Sequence, residues 1–151
     1  MTHMPYSFRI EDSLRYTFVS LGRTSIEKAV DFSRIPGIDD VYNLGFGDLL
    51  PDGSIDVNVT SNNGDILKVL STVVEITRDF TTHFPEVELF FIGSSEERTR
   101  LYARILKMYY SEFRKDFKIS GLVIKGQSYE EAVFDPGEAF KYFAFLIKKI
   151  E

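Results

Sequence analysis

The chain has no cysteine, no tryptophan and only two histidines, His3 and His83, among its 151 residues. Without thiols there is no disulfide framework, no thiolate nucleophile and no cysteine-ligated zinc. Two histidines so far apart exclude a His-rich metal centre and leave no spacing from which a Ser/His/Asp arrangement can be read. Any bound metal would be a hard cation on carboxylates; the expectation is no metal and no cofactor. Basic residues are outnumbered, 18 Lys and Arg against 23 Asp and Glu, for a net charge of −5. Wholesale nucleic-acid binding needs a basic excess, so a protein partner or self-association is expected ahead of nucleic acid. No stretch approaches the roughly 18–20 apolar residues of a membrane span. The opening, MTHMPYSFRIED, lacks the basic start and apolar run of a secretory leader. The expected location is therefore cytoplasmic.

What is present is an ordinary globular balance, 44% hydrophobic and 27% charged, with an unusual 14 phenylalanines. So many large apolar rings require an aromatic core. The length fits one domain spanning residues 1–151, with residues 1–12 as a candidate mobile N-terminal segment.

Periodicity places the elements. Residues 14–21, LRYTFVSL, set Leu14, Tyr16 and Phe18 against Arg15 and Thr17, as a strand does. Residues 26–35 fit either a helical stripe or a strand. The short GRTS turn before them and the sharp IPG after them favour the strand. Residues 65–83 carry a broadly apolar helix closed by Pro85, wide enough to be covered on more than one side or to meet a second copy. A buried strand at 87–93, a second helix at 95–115, strands at 117–125 and 130–135, and a short last element after Asp135-Pro136-Gly137 complete the chain. This order predicts an α+β fold, a largely antiparallel sheet with two main helices packed on it.

Residues 41–59 read as a hairpin around Asp52-Gly53. A two-residue turn there would pair Leu50 with Ile55, Asp48 with Val57 and Phe46 with Val59. Asp48 then falls among apolar residues on the core side, while Asp56 points to the other face. A buried carboxylate needs partners, and the amides at 63–65 are the expected ones. Asp48 is also the weak candidate for a catalytic base. Asn62 with Asp65 reads as a capping pair around the Asn63-Gly64 turn.

The second candidate is the corner FFIGSSEERTRLY, residues 90–102. Ser94 as N-cap with Glu97 three residues on satisfies the capping-box pattern, which needs no ligand. The alternative is an anion site. Amides after Gly93, with Ser94 and Ser95, would face a phosphate, and Arg98, Arg100 and Arg104 would reach it. The lysine of a P-loop and the second glycine of a dinucleotide motif are missing. Arg100, Arg104, Lys107 and Arg114 form a basic line that a solvated helix face also explains. His83, before Phe84-Pro85, suits a helix C-terminus.

NLGFGD (43–48), SNNGD with VLSTV (61–65, 69–73), FTTHFP (80–85) and GSSEERTRLY (93–102) occur in that order. Through them the chain resembles a family of small bacterial proteins of unknown function found mainly in Bacteroidetes-type genomes. The resemblance implies an intracellular, single-domain protein, with Asp48, Asn63, Asp65, Gly93, Arg98, Arg100 and Tyr102 at the matching motif positions. It carries no known catalytic residue.

The expected function is a non-catalytic binding or interaction protein, with self-association as a homodimer through the first helix as one form of it. The alternative is a binding protein or enzyme for a phosphate-bearing ligand, a nucleotide or RNA end, at residues 93–104.

Overall fold

The computed structural model describes residues 4–57 and 63–150. The architecture is α+β, with a largely antiparallel sheet. The chain divides into two compact units, residues 1–34 with 43–84, and residues 35–42 with 85–151.

In the first unit, β1 (Arg9–Asp12), β2 (Arg15–Leu21), β3 (Ser25–Arg34) and residues 43–49 of β4 (Val41–Leu49) lie side by side. A two-residue strand, β5 (Ile55–Asp56), adds to β4. Residues 26–35 are thus strand, as their flanking turns predict. Register pairs Tyr16 with Val30 and Phe18 with Lys28, so these four share a face. The helix α1 (Ile66–His83) buries Val69, Leu70, Ile76 and Phe80. The Phe80 ring stacks on Phe32 at 3.8 Å between centroids, and Phe32 meets the edge of Tyr16 at 5.9 Å. Each such ring removed from water contributes about 1.5–3 kcal/mol. Thr72, Thr77 and Thr81 are also buried, and each hydroxyl donates to the carbonyl four residues back. His83 meets the helix C-terminus, its Nδ1 2.8 Å from the Asp79 carbonyl.

The β4–β5 hairpin differs from the expected register. Leu49 faces Ile55 and Asp48 faces Asp56. The turn has three residues, not two. The Gly53 amide donates to the Leu50 carbonyl and the Leu50 amide to the Ser54 carbonyl, both at 2.9 Å. Pro51 presets the first turn position and Gly53 takes φ +88°, while Asp52 keeps negative φ. A two-residue turn would have forced Asp52 into the left-handed region. Val59 lies outside the described residues.

The second unit orders its strands β6 (Glu88–Phe91), β9 (Ala144–Lys149), β7 (Phe117–Lys125) and β8 (Ser128–Val133). Leu89, Phe91, Phe145, Ile147, Ile119 and Gly121 share one face by register. Phe91 meets Phe145 at 5.4 Å and Tyr102 at 5.9 Å, which sets α2 (Glu96–Met108) over this face. Gly121 is required here, because a Cβ would lie 2.1 Å from the Tyr142 ring. The expected helix 95–115 is two helices. Tyr109, at φ −109° and ψ 18°, ends α2, and α3 (Tyr110–Asp116) follows. A short 3-10 segment, Pro136–Lys141, precedes β9. Among the described residues, no helix is long and apolar enough to cross a membrane.

Candidate functional site

Asp48 keeps the core-side position expected of it, but its partner is a lysine. Lys28, on β3, donates from Nζ to Asp48 Oδ1 at 2.5 Å, and the two side chains are 9% and 14% exposed. The expected amides at 63–65 are replaced in this role by an ammonium on the neighbouring strand. The ammonium also lies 5.9 Å from the Phe46 ring. Directly opposed residues of an antiparallel pair share a face, so Asp56 stands on the same side as Asp48, not the opposite one. This is the consequence of the three-residue turn. No group of three His, Cys, Asp or Glu side chains placed to hold a metal occurs among the described residues.

The SNNGD segment builds a polar junction. Asn63 is buried, and its Nδ2 donates to Ser20 Oγ at 2.9 Å and to the Thr24 carbonyl at 2.8 Å. Its Oδ1 accepts from the Thr24 amide and its backbone carbonyl from the Arg23 amide, both at 2.9 Å. The turn between β2 and β3 thereby docks on the start of α1. Gly22 permits it, since a Cβ there would sit 1.8 Å from the Asn63 carbonyl oxygen. Asp65 occupies the N-cap position without capping through its side chain. Its Oδ2 accepts instead from Tyr6 Oη at 2.5 Å and Ser20 Oγ at 2.6 Å. Asn62, expected to cap with it, lies outside the described residues. Burial, followed by the Asp65 hydrogen bond, raises the Tyr6 phenol above its ordinary range.

At the corner, Ser95 caps α2 rather than Ser94: its Oγ accepts from the Arg98 amide at 3.2 Å. Gly93 lies against the first turn, donating its amide to Thr99 Oγ1 at 3.0 Å. A Cβ on Gly93 would be 2.3 Å from the Thr99 nitrogen, so close backbone packing accounts for the glycine. The Arg98 side chain bonds to Tyr102, and the Arg100 guanidinium lies 4.5 Å from the Phe140 ring centroid. Arg104 and Lys107 are exposed on the outer side of α2. The structure thus brings Gly93, Ser95 and Arg98 into one turn, while Arg100 leans on the 3-10 segment; Ser94 is exposed.

The feature not read from the sequence is the edge of β8, which no further strand covers among the described residues. Gly126, at φ +64°, and Gln127 form a two-residue turn between Lys125 and Ser128. β8 then ends the strand order, with every residue exposed except the half-buried Ala132. Ile124 faces Tyr129 across the hairpin, and these two and Val133 are 71%, 67% and 71% exposed. Glu130 and Glu131 lie between Tyr129 and Val133 along β8.

A sequence model of a family of unknown function, DUF6934, matches residues 2–150. The chain belongs to this family. No curated protein and no solved structure is similar to it. The family match thus spans both the β8 edge and the motifs at 43–48, 63–65 and 93–102. One signal in the sequence could have revealed the Asp48 partner. Lys28, Val30 and Phe32 alternate along β3, which places a lysine on an apolar strand face and calls for a buried anion. The β8 edge left the bare strand pattern as its signal, because strand order decides which strand lacks a neighbour.

Proposed function

We propose that the protein is a non-catalytic interaction protein of the bacterial cytoplasm, and that a protein partner adds an extended basic strand along β8. The observation that supports this reading is the exposed β8 edge, which carries Tyr129 and Val133 and ends the strand order among the described residues. An uncovered edge is a template for strand addition, where main-chain bonds give affinity and alternate side chains give selectivity. Glu130 and Glu131 choose between partners. Two copies of β8 paired about a two-fold axis at Glu130 or at Glu131 would set that carboxylate opposite its own copy, and like charges opposed across a ladder repel. A strand carrying Lys or Arg at those positions is complementary, whereas nucleic-acid phosphates meet the same repulsion. Self-association through α1 has less to draw on, since Leu70, Ile76 and Phe80 are buried and Ile66 is its one exposed large apolar side chain among the described residues.

The test is fluorescence anisotropy with a labelled ten-residue peptide alternating Val and Lys, and an acidic counterpart. The basic peptide is expected to bind, to protect β8 amides from hydrogen exchange, and to lose affinity in Glu130→Lys/Glu131→Lys. Absence of binding by the basic peptide, or a stable homodimer disrupted by Val133→Asp, overturns the reading. The alternative phosphate site at residues 93–104 draws chiefly on Arg104, since Arg98 and Arg100 have intramolecular partners. A nucleotide-induced rise in melting temperature that Arg104→Ala abolishes would favour it.

A further inference from the structure

The register of the β7–β8 hairpin decides which residues of β8 a neighbouring strand could meet. Phe134, just past β8, donates its amide to the Ile119 carbonyl at 3.0 Å. Backbone groups alternate in direction along a strand, as side chains do. Ser128, Glu130 and Ala132 therefore turn their N–H and C=O toward β7, while Tyr129, Glu131 and Val133 turn theirs away from it. The side chains of these last three share one face, opposite Ile124, Leu122 and Ser120 of β7. A strand laid along β8 would thus bond to Tyr129, Glu131 and Val133 and set its own side chains beside theirs.

That face has a definite pattern. Tyr129 and Val133 are exposed apolar residues, each two positions from Glu131. The Tyr129 ring is set by an edge contact with Phe143, the centroids 6.0 Å apart and the planes at 82°. A ring fixed in advance lowers the ordering cost of binding. The two carboxylates of β8 are not equivalent. Glu130, on the other face, has the Lys125 ammonium at 3.7 Å. Glu131 has no Lys or Arg nitrogen within 4 Å among the described residues. A cation from outside is therefore complementary to Glu131 first.

On the strand-addition reading proposed above, we infer that the segment accepted by β8 carries one Lys or Arg with an apolar residue two positions to either side. The cation stands opposite Glu131, and the apolar residues stand opposite Tyr129 and Val133. Cations opposite Tyr129 and Val133 would forfeit the apolar pairs, so a uniformly basic strand fits less well. An acidic residue opposite Glu131 is repelled.

The experiment is a ¹H–¹⁵N titration of the full chain with two blocked peptides of one composition, TTVTKTVTT and TTVKTTVTT. The first sets both valines and the lysine on one face. The second moves the lysine to the opposite face, and a one-residue slip that recovers Glu131 would turn the valines away. TTVTKTVTT is expected to shift the amides of Tyr129, Glu131 and Val133 in a saturable way and to slow their hydrogen exchange. TTVKTTVTT should bind about threefold more weakly, the scale of one cross-strand charge pair. Glu131→Gln should erase that difference, and Glu130→Gln should preserve it. Equal affinity for the two peptides, or a preference that survives Glu131→Gln, overturns the inference and leaves strand addition standing. No saturable shift of β8 amides with either peptide at millimolar concentration overturns both.

Discussion

Lys28 and Asp48 form a nearly buried ion pair, 2.5 Å from nitrogen to oxygen, between two strands of the first unit. Each charge would be costly to bury alone, so the pair acts as a unit and constrains which strand faces may meet.

Removing one partner is expected to be severe. Lys28→Met leaves the Asp48 carboxylate without this ammonium, at a cost of about 3–5 kcal/mol. The double variant Lys28→Met/Asp48→Leu should recover most of that loss. Urea unfolding of the four proteins in the cycle measures the coupling. Additive single-variant losses would show that the pair does not act together.

The polar junction gives a second expectation. Tyr6→Phe deletes the hydroxyl that Asp65 and the Leu21 amide share. The loss should be about 1.5–3 kcal/mol, the range for a hydrogen bond to a charged group. Gly22→Ala should be worse than an ordinary strand substitution, because the added carbon meets the Asn63 backbone at 1.8 Å. Paired urea melts with unchanged m-values would check both, and a neutral Gly22→Ala would refute the close approach.

At the α2 corner the order of effects is the prediction. Gly93→Ala forces a methyl against the Thr99 nitrogen and should cost about 1–3 kcal/mol, as overpacking does. Arg100→Ala removes an exposed cation–π contact with Phe140 and should cost about 0.5–1 kcal/mol. A larger loss for Arg100→Ala than for Gly93→Ala would contradict the packing described here.

Glu88 supplies a pH dependence. Burial first, and then the Glu131 carboxylate, hold its pKa above the ordinary 4.5, against the pull of Lys148 and Lys118. A carboxyl with a raised folded pKa favours folding most when protonated. Its contribution is complete below 4.5 and is lost as pH rises through the folded value. Glu88→Gln is therefore expected to raise the melting temperature at pH 7 and to lose that advantage in acid. Melting curves between pH 3.5 and 7 decide it, and a lower melting temperature for Glu88→Gln at pH 7 would reverse the sign.

Much of this protein is set by local pattern. Alternation marked β2, the short GRTS turn and IPG favoured a strand at 26–35, and 3.6-residue spacing marked α1. Those signals are local because backbone geometry alone decides which side chains share a face. His83 was legible at the α1 C-terminus for the same reason, and Asp48 was legible as a core-side carboxylate. Tertiary structure decided the rest. The three-residue turn at Pro51-Asp52-Gly53 shifted the register by one and brought Asp56 to the same face as Asp48. Lys28 became the partner of Asp48, and Ser20 and Tyr6 the partners of Asp65, through contacts 20, 45 and 59 residues apart. Strand order left β8 with β7 as its one neighbour among the described residues and gave Tyr129 and Val133 to solvent. Such pairings depend on which elements meet in space, and sequence spacing carries no term for that.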